Sequence, residues 1–133
     1  MLTCECINPE IMDVLALCGH GSKILIADGN YPLAEKSGDS KKVYLGLRKD
    51  LPTVTDVLTT LKAVINIEKA EVMAPQEGPE PMIFKEFVDI TGLKLAKLER
   101  YEFYANASKD IVLAISTGES RTFANILLTV GVA

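Results

Sequence analysis

The chain contains no tryptophan, one histidine, three cysteines and no long apolar run. No stretch approaches the ~20 consecutive apolar residues that a transmembrane helix needs, which argues against a membrane partner. The N-terminus also lacks the basic segment and apolar core of a secretory signal. Because an odd number of cysteines argues against a disulfide framework, the sequence predicts a reducing compartment, the cytoplasm.

Basic clusters and metal ligands are scarce too. The net charge is −4, and the 14 Lys and Arg residues form no basic run, which argues against nucleic acid as a partner. Cys4 and Cys6 are too close together, with too few companion ligands, for a zinc site. There is no Gly-rich phosphate loop of the Walker type. The sequence therefore predicts neither a metal nor a cofactor.

What the chain does have is enough apolar side chain for one domain. Of its 133 residues, 48% are hydrophobic and 24% are charged, which is typical of a soluble protein. A chain of this length buries about two thirds of its unfolded surface. We therefore expect a single domain over residues 1–133. Strands alternate with helices along it, which predicts an α/β fold with a largely parallel sheet covered by helices.

Helices are predicted where a capping residue precedes apolar residues at helical spacing. Asn8 and Pro9 begin the first helix, which Gly19 ends. Thr53 and Asp56 form a capping box for the second. Further helical segments are predicted at 82–91 and 101–107, a loop at 75–81, and strands at 23–27, 43–47, 69–73, 110–116 and 125–130.

The plainest strand, 23–27, lies between the only histidine and an aspartate. His20 is flanked by glycines, which favours a presented side chain over a packed one. Asp28 follows the carboxyl end of the strand, where parallel sheets bind ligands. Five residues at ~3.3 Å each separate the two side chains by roughly 16 Å. Either the glycine-flanked loop doubles back or a neighbouring subunit supplies one group. Our hypothesis is the second, and a pocket of one chain that holds both would refute it.

Four segments of the chain resemble the ribose pyranase and fucose mutarotase family (RbsD/FucU). No single segment is specific, but their order and spacing in a chain of this length are. The resemblance covers nearly the whole chain and is weakest over 33–95. The segments are Gly19-His20-Gly21 with Ile26-Ala27-Asp28 and Tyr31-Pro32; the hexapeptide at 99–104; Thr117-Gly118-Glu119; and the pentapeptide at 124–128 with Gly131-Val132.

This resemblance implies an RbsD-like fold and cofactor-free interconversion of the anomers or ring forms of a monosaccharide. It also implies a homo-oligomer, a pentamer or decamer, with sites between neighbouring subunits. His20 matches the family's proton donor, and Asp28 matches a residue that binds sugar. Arg100 matches a substrate contact of the mutarotase branch. In the ribose branch a histidine makes this contact, and Tyr104 is the residue nearest to its place.

The last matching segment is the family's substrate-binding tripeptide, here Phe123, Ala124 and Asn125. The family's tripeptide normally begins with tyrosine. Phenylalanine keeps a ring that can stack on a sugar but lacks the hydroxyl that could donate or relay a proton. The departure therefore predicts catalysis that is altered, slowed or lost. A milder departure is Ser22, where an acidic residue is common.

Each of these residues also has a purely structural interpretation. His20 could cap the preceding helix, and Asp28 could only stabilise the turn with Gly29. Arg100 could pair with a neighbouring glutamate at the surface. We expect either Phe103 or Tyr104 to be a core aromatic, Tyr31 to be a pocket wall or subunit contact, and Glu119 to be a structural acceptor for nearby backbone.

Opening a hemiacetal ring removes a proton from the anomeric hydroxyl and gives one to the ring oxygen. A histidine, with an ordinary pKa of about 6.5, serves in both senses near neutrality. The leading hypothesis is therefore an L-fucose mutarotase with His20 as the catalytic residue. The alternatives are a D-ribose pyranase and, because of Phe123, a non-catalytic monosaccharide-binding protein.

Overall fold

The computed structural model describes residues 1–133 and contains one six-stranded sheet. Its strands are β1 (Lys23–Ala27), β2 (Lys41–Tyr44), β3 (Ile67–Met73), β4 (Leu95–Leu98), β5 (Ile111–Ser116) and β6 (Ile126–Val130). They lie in the order β2-β5-β1-β6-β3-β4. Only β6 runs antiparallel to its neighbours, β1 and β3, and the other pairings are parallel. The predicted α/β fold with a largely parallel sheet is confirmed.

Four helices accompany the sheet: α1 (Pro9–Leu17), α2 (Val54–Lys62), α3 (Ile83–Thr91) and α4 (Arg100–Asn106). Both predicted caps are present. The Asn8 side chain accepts a hydrogen bond from the Ile11 amide at 3.0 Å, and Thr53 and Asp56 make a reciprocal capping box. The end predicted for α1 at Gly19 is slightly late, because Leu17 is its last residue and Cys18 already has extended backbone angles. No helix is both long and apolar enough to cross a membrane.

The sheet is buried on both faces. Ile24 and Ile26 of β1 belong to the larger core, with residues from α1, α2 and α3. Leu25 and Ala27 belong to a smaller core on the opposite face, with Phe103 of α4. This alternation explains why the strand is apolar throughout, as the sequence indicated.

Two strand predictions need correction. The strand predicted at 43–47 lies at Lys41–Tyr44, and β4 was not predicted at all. Both are four-residue strands at the edges of the sheet. Each has one buried residue, Val43 or Leu95. Such a strand carries too little apolar pattern to be recognised from sequence.

Candidate functional site

One cavity of about 200 Å³ brings together five of the six predicted substrate-binding residues. We call it the Asp28 cavity. It lies where β1 and β3 end and β6 begins, because β6 runs antiparallel to both. Ligands commonly bind at the carboxyl ends of strands in such sheets. The lining residues are Asp28, Asn30, Tyr31, Met73, Arg100, Tyr104, Thr122, Phe123 and Asn125.

Asp28 is 2% exposed, and the surrounding backbone binds both of its carboxylate oxygens. Oδ1 accepts a hydrogen bond from the Asn30 amide at 2.9 Å, and Oδ2 accepts one from the Ala124 amide at 3.2 Å. Burial raises the pKa of this carboxyl above its ordinary value, and the hydrogen bonds from the Asn30 and Ala124 amides oppose that rise only in part. Each oxygen keeps a lone pair that can accept a hydrogen bond from a hydroxyl group.

The tripeptide at 123–125 contributes in three different ways. Asn125 is buried, and its Oδ1 accepts a hydrogen bond from the Asp28 amide at 2.8 Å. This bond fixes the orientation of the side-chain amide and leaves Nδ2 as its donor. Ala124 is fully buried and does not line the cavity, so its contribution is the backbone N–H that binds Asp28.

Phe123 has a φ of 57°, in the left-handed region that bulky residues rarely occupy. Strain of this kind is worth about 1–3 kcal/mol and is concentrated at functional sites. The guanidinium carbon of Arg100 lies 6.0 Å from the centre of the Phe123 ring. The ring and the cation together form one wall of the cavity.

The loop before Phe123 is anchored by a buried carboxylate. Glu119 is 2% exposed and accepts hydrogen bonds from the Val54 amide at 3.4 Å and from the Arg121 amide at 3.3 Å. Nε of Arg121 adds an ion pair to it at 2.9 Å, and the same guanidinium reaches Glu86 of α3 at 2.5 Å. The prediction that Glu119 is a structural acceptor for backbone is confirmed.

Helix α4 presents the remaining two predicted residues. Glu99 caps its start, because Oε2 accepts hydrogen bonds from the Tyr101 and Glu102 amides at 2.9 and 3.3 Å. Arg100 therefore stands at the first helical position, exposed, and forms no ion pair with another residue of the chain. The alternative that Arg100 pairs with a neighbouring glutamate is wrong.

The aromatic residues of α4 divide as expected. Phe103 is fully buried, whereas Tyr104 is half-buried and lines the cavity. The Tyr104 ring packs edge-on against Tyr31 at 5.5 Å. Burial raises the pKa of the Tyr31 hydroxyl, which donates a hydrogen bond to the Lys36 carbonyl at 2.7 Å. Tyr31 is therefore a wall of the cavity.

His20 is not in this cavity. It lies at the opposite end of β1, in a depression of about 570 Å³ that is lined mainly by the residues following α2 and β6. Its side chain is 60% exposed, and Nε2 is 2.9 Å from Oε2 of Glu68. The interpretation of His20 as a cap of α1 is wrong, because this contact is its only side-chain hydrogen bond. One chain does not bring His20 and Asp28 to the same pocket.

Sequence reasoning missed four residues that the structure brings to these two places. Asn30 and Thr122 are sequence neighbours of predicted residues, and Met73 ends a predicted strand, so a search of strand ends would have found them. Glu68, the partner of His20, lies where the resemblance is weakest. No local pattern marks it.

Comparisons with known proteins support one family. Curated relatives from Thermoanaerobacter sp. (strain X514) and Clostridium tetani, both named D-ribose pyranase, are 29% identical over 126 residues, which is 95% of this chain and 94% of theirs. The structure of Bacillus subtilis RbsD complexed with D-ribose matches with a TM-score of 0.88 and 28% identity, over 100% of this chain and 99% of that one.

A second solved structure, the fucose mutarotase from Streptococcus pneumoniae in complex with L-fucose, shares the fold. Its TM-score is 0.79 at 24% identity, over 96% of this chain and 94% of that one. The family model described as the RbsD / FucU transport protein family matches residues 1–133. The chain therefore belongs to the RbsD/FucU family.

Proposed function

We propose that the protein interconverts the anomers or ring forms of a monosaccharide in the Asp28 cavity, without a cofactor. The observation that carries this proposal is the hydrogen-bonded unit of Asp28, Ala124 and Asn125 facing a cavity of about 200 Å³. Its small volume suits a single sugar. The pyranase names of the relatives that match nearly the whole chain also support this activity.

The cavity offers the groups that a sugar needs. The Asp28 oxygens accept hydroxyl hydrogen bonds, and Nδ2 of Asn125 and the guanidinium of Arg100 donate them. The Phe123 ring gives an apolar surface for one face of the sugar ring. Since Arg100 has no ion-pair partner in the chain, its charge is available to a ligand.

The acid–base group of this proposal is His20 of a neighbouring copy. Within one chain the five residues of β1 separate His20 from Asp28 by roughly 16 Å, too far for both to contact one sugar. A site shared between copies removes this difficulty and requires a closed homo-oligomer. The family resemblance implies a pentamer or decamer. A positioned acid–base group of this kind accelerates proton transfer by about 10²–10⁴-fold.

The direct test is saturation-transfer NMR on an equilibrated sugar with and without the protein. We expect faster exchange between anomers of L-fucose, the sugar of the branch that Arg100 resembles. D-ribose is the second candidate, because the relatives named above are D-ribose pyranases. Acceleration of ribose alone would assign a pyranase. No acceleration for fucose, ribose, galactose or related aldoses with folded protein would refute the proposal.

The shared site has its own test. His20→Ala and Asp28→Asn should each abolish exchange, and a mixture refolded together at equal amounts should recover about a quarter of the wild-type rate, because random assembly pairs an intact His20 with an intact Asp28 at that frequency. Each variant refolded alone is the control. If the mixture stays inactive, both groups act within one chain.

The missing hydroxyl at Phe123 favours one further candidate, a protein that binds a monosaccharide without converting it. Sugar titration followed by isothermal calorimetry, run beside the exchange measurement, separates the two. Binding with no exchange would assign a sugar-binding role.

A further inference from the structure

We propose that Glu68 is a positioning residue for His20, holding the imidazole by Nε2 so that Nδ1 is the nitrogen presented to the sugar. This inference rests on the proposed function, in which His20 is the acid–base group. The 2.9 Å contact between Nε2 of His20 and Oε2 of Glu68 joins residues 48 positions apart in sequence. Nδ1 has no hydrogen-bond partner within the chain.

A β-bulge aims Glu68 at the histidine. In the pairing of β3 with β6, Ile67 lies opposite Val130 and Lys69 lies opposite Thr129, so Glu68 is an extra residue with no partner. Bulges of this kind redirect a side chain out of the regular alternation of a strand. Without the extra residue, the regular alternation of the strand would decide to which face of the sheet the side chain of residue 68 points.

Gly131 keeps the path between the two side chains open. β1 and β3 lie on either side of β6, about 10 Å apart, so the pair must reach across the end of β6. A Cβ placed on Gly131 would lie 3.1 Å from Cβ of Glu68 and 3.6 Å from its Oε2. The residue that ends β6 is also bonded to the histidine turn, since the Val130 carbonyl accepts from the Gly21 amide and the Val130 amide donates to the Ser22 carbonyl, both at 2.8 Å.

The pairing selects one form of the neutral imidazole. A carboxylate only accepts hydrogen bonds, so the ring proton must be on Nε2, and Nδ1 then carries the free lone pair. During ring opening, Nδ1 takes the proton of the anomeric hydroxyl. The electrons of that O–H bond form the carbonyl, and the bond from the anomeric carbon to the ring oxygen breaks. That oxygen then takes the proton from Nδ1. Closure on the other carbonyl face reverses both transfers, so no proton is gained or lost.

The single histidine makes a direct test possible. Two-bond ¹H–¹⁵N correlation spectra of the full-length protein report the protonated ring nitrogen without any assignment ambiguity. Under mildly alkaline conditions we expect the Nε2–H form to dominate in the wild type and to give way to a mixture of forms in Glu68→Ala. Glu68→Gln should be intermediate, because its amide can accept from Nε2–H but can also donate to Nε2. The same mixture in wild type and Glu68→Ala would overturn the inference. This measurement needs no sugar, so it is independent of the proposed function.

Kinetics supply the second readout. Glu68→Ala should lower kcat for exchange by about tenfold or more and leave KM within about twofold, because the carboxylate contacts the histidine and not the sugar. Glu68→Gln should recover part of the loss. Gly131→Ala should reproduce part of the Glu68→Ala defect by displacing the carboxylate. The matched control is Glu77→Ala, an exposed glutamate with no ion pair, which should change nothing.

If the pair only stabilised the fold, Glu68→Ala would lower the thermal stability and leave kcat unchanged. Both partners are largely exposed, 60% and 44% for the side chains of His20 and Glu68, and exposed pairs contribute only about 0–1 kcal/mol to stability. Thermal unfolding of Glu68→Ala should therefore match that of the wild type. Equal kcat in Glu68→Ala and wild type would overturn the positioning role. Absence of exchange in the wild type itself would refute the proposed function and leave the spectral test to decide this inference.

Discussion

Replacing Asp28 by asparagine should separate the stability of the fold from the function of the site. Asparagine has the shape of the aspartate but carries no charge. Burial raises the pKa of Asp28, which means that the folded protein binds the neutral form of this group better than the charged form. A neutral isostere should therefore fit at least as well, although its NH2 group faces one of the two amides that the carboxylate binds. We expect the stability of Asp28→Asn to lie within about 1 kcal/mol of the wild type at pH 7.

Alanine at the same position should behave differently. Asp28→Ala leaves the Asn30 and Ala124 amides without their acceptors. An unsatisfied buried donor costs about 1–3 kcal/mol, and the lower part of this range applies because the cavity admits water. For the two amides together, the loss of stability is about 2–3 kcal/mol. For a chain of this length that lowers Tm by about 10 °C. Both variants should lose sugar exchange, because neither offers a carboxylate to the sugar.

The pH dependence of stability shows whether the Asp28 carboxyl stabilises or destabilises the folded protein. With a folded-state pKa above the unfolded value of about 4, the native protein holds the Asp28 proton longer as pH rises, so this group lowers stability progressively from about pH 4 up to its folded pKa. Asp28→Asn lacks this contribution. Urea unfolding of wild type and variant at one protein concentration should show the difference shifting towards the variant as pH rises, then levelling off. A constant difference, or an Asp28→Asn variant as unstable as Asp28→Ala, would refute the reasoning.

Three further variants test other parts of the structure. Phe123→Tyr restores the hydroxyl usual in the family and should increase the exchange rate; an unchanged rate would show that the hydroxyl is dispensable here. Lys23→Met removes hydrogen bonds from Nζ to the Asn106 and Lys109 carbonyls, at 2.6 and 2.8 Å, that hold the end of α4, and should lower the free energy of unfolding by about 1–2 kcal/mol in urea titrations. Gly118→Ala places a Cβ 2.8 Å from the Leu51 amide and against the Arg48 carbonyl, so it should lower stability by about 3 kcal/mol or more, whereas Gly19→Ala, with open space around it, should not.

Much of the fold could be predicted because its signals are local. The Asn8 cap, the Thr53 capping box and the apolar run of β1 each depend on a few consecutive residues, and each appears in the structure where the sequence places it. The short edge strands were missed or displaced because their residues pair through backbone atoms on one side only. Backbone pairing leaves no mark in the side-chain pattern.

The candidate site likewise contains residues that short motifs predict and one that they do not. Asp28, Arg100 and the tripeptide at 123–125 were found from short motifs, and the structure brings them together because β1 ends where β6 begins. That His20 and Asp28 do not share a pocket within one chain could also be predicted, since the rise of a strand is fixed. The partner of His20 could not, because it depends on a bulge in β3 and on a glycine beyond β6. In the proposed mechanism, the one extra residue in the pairing of β3 with β6 thus decides which nitrogen of the only histidine is free. Within this fold, the register of β3 on β6 is consequently as much a determinant of the proposed chemistry as the histidine itself.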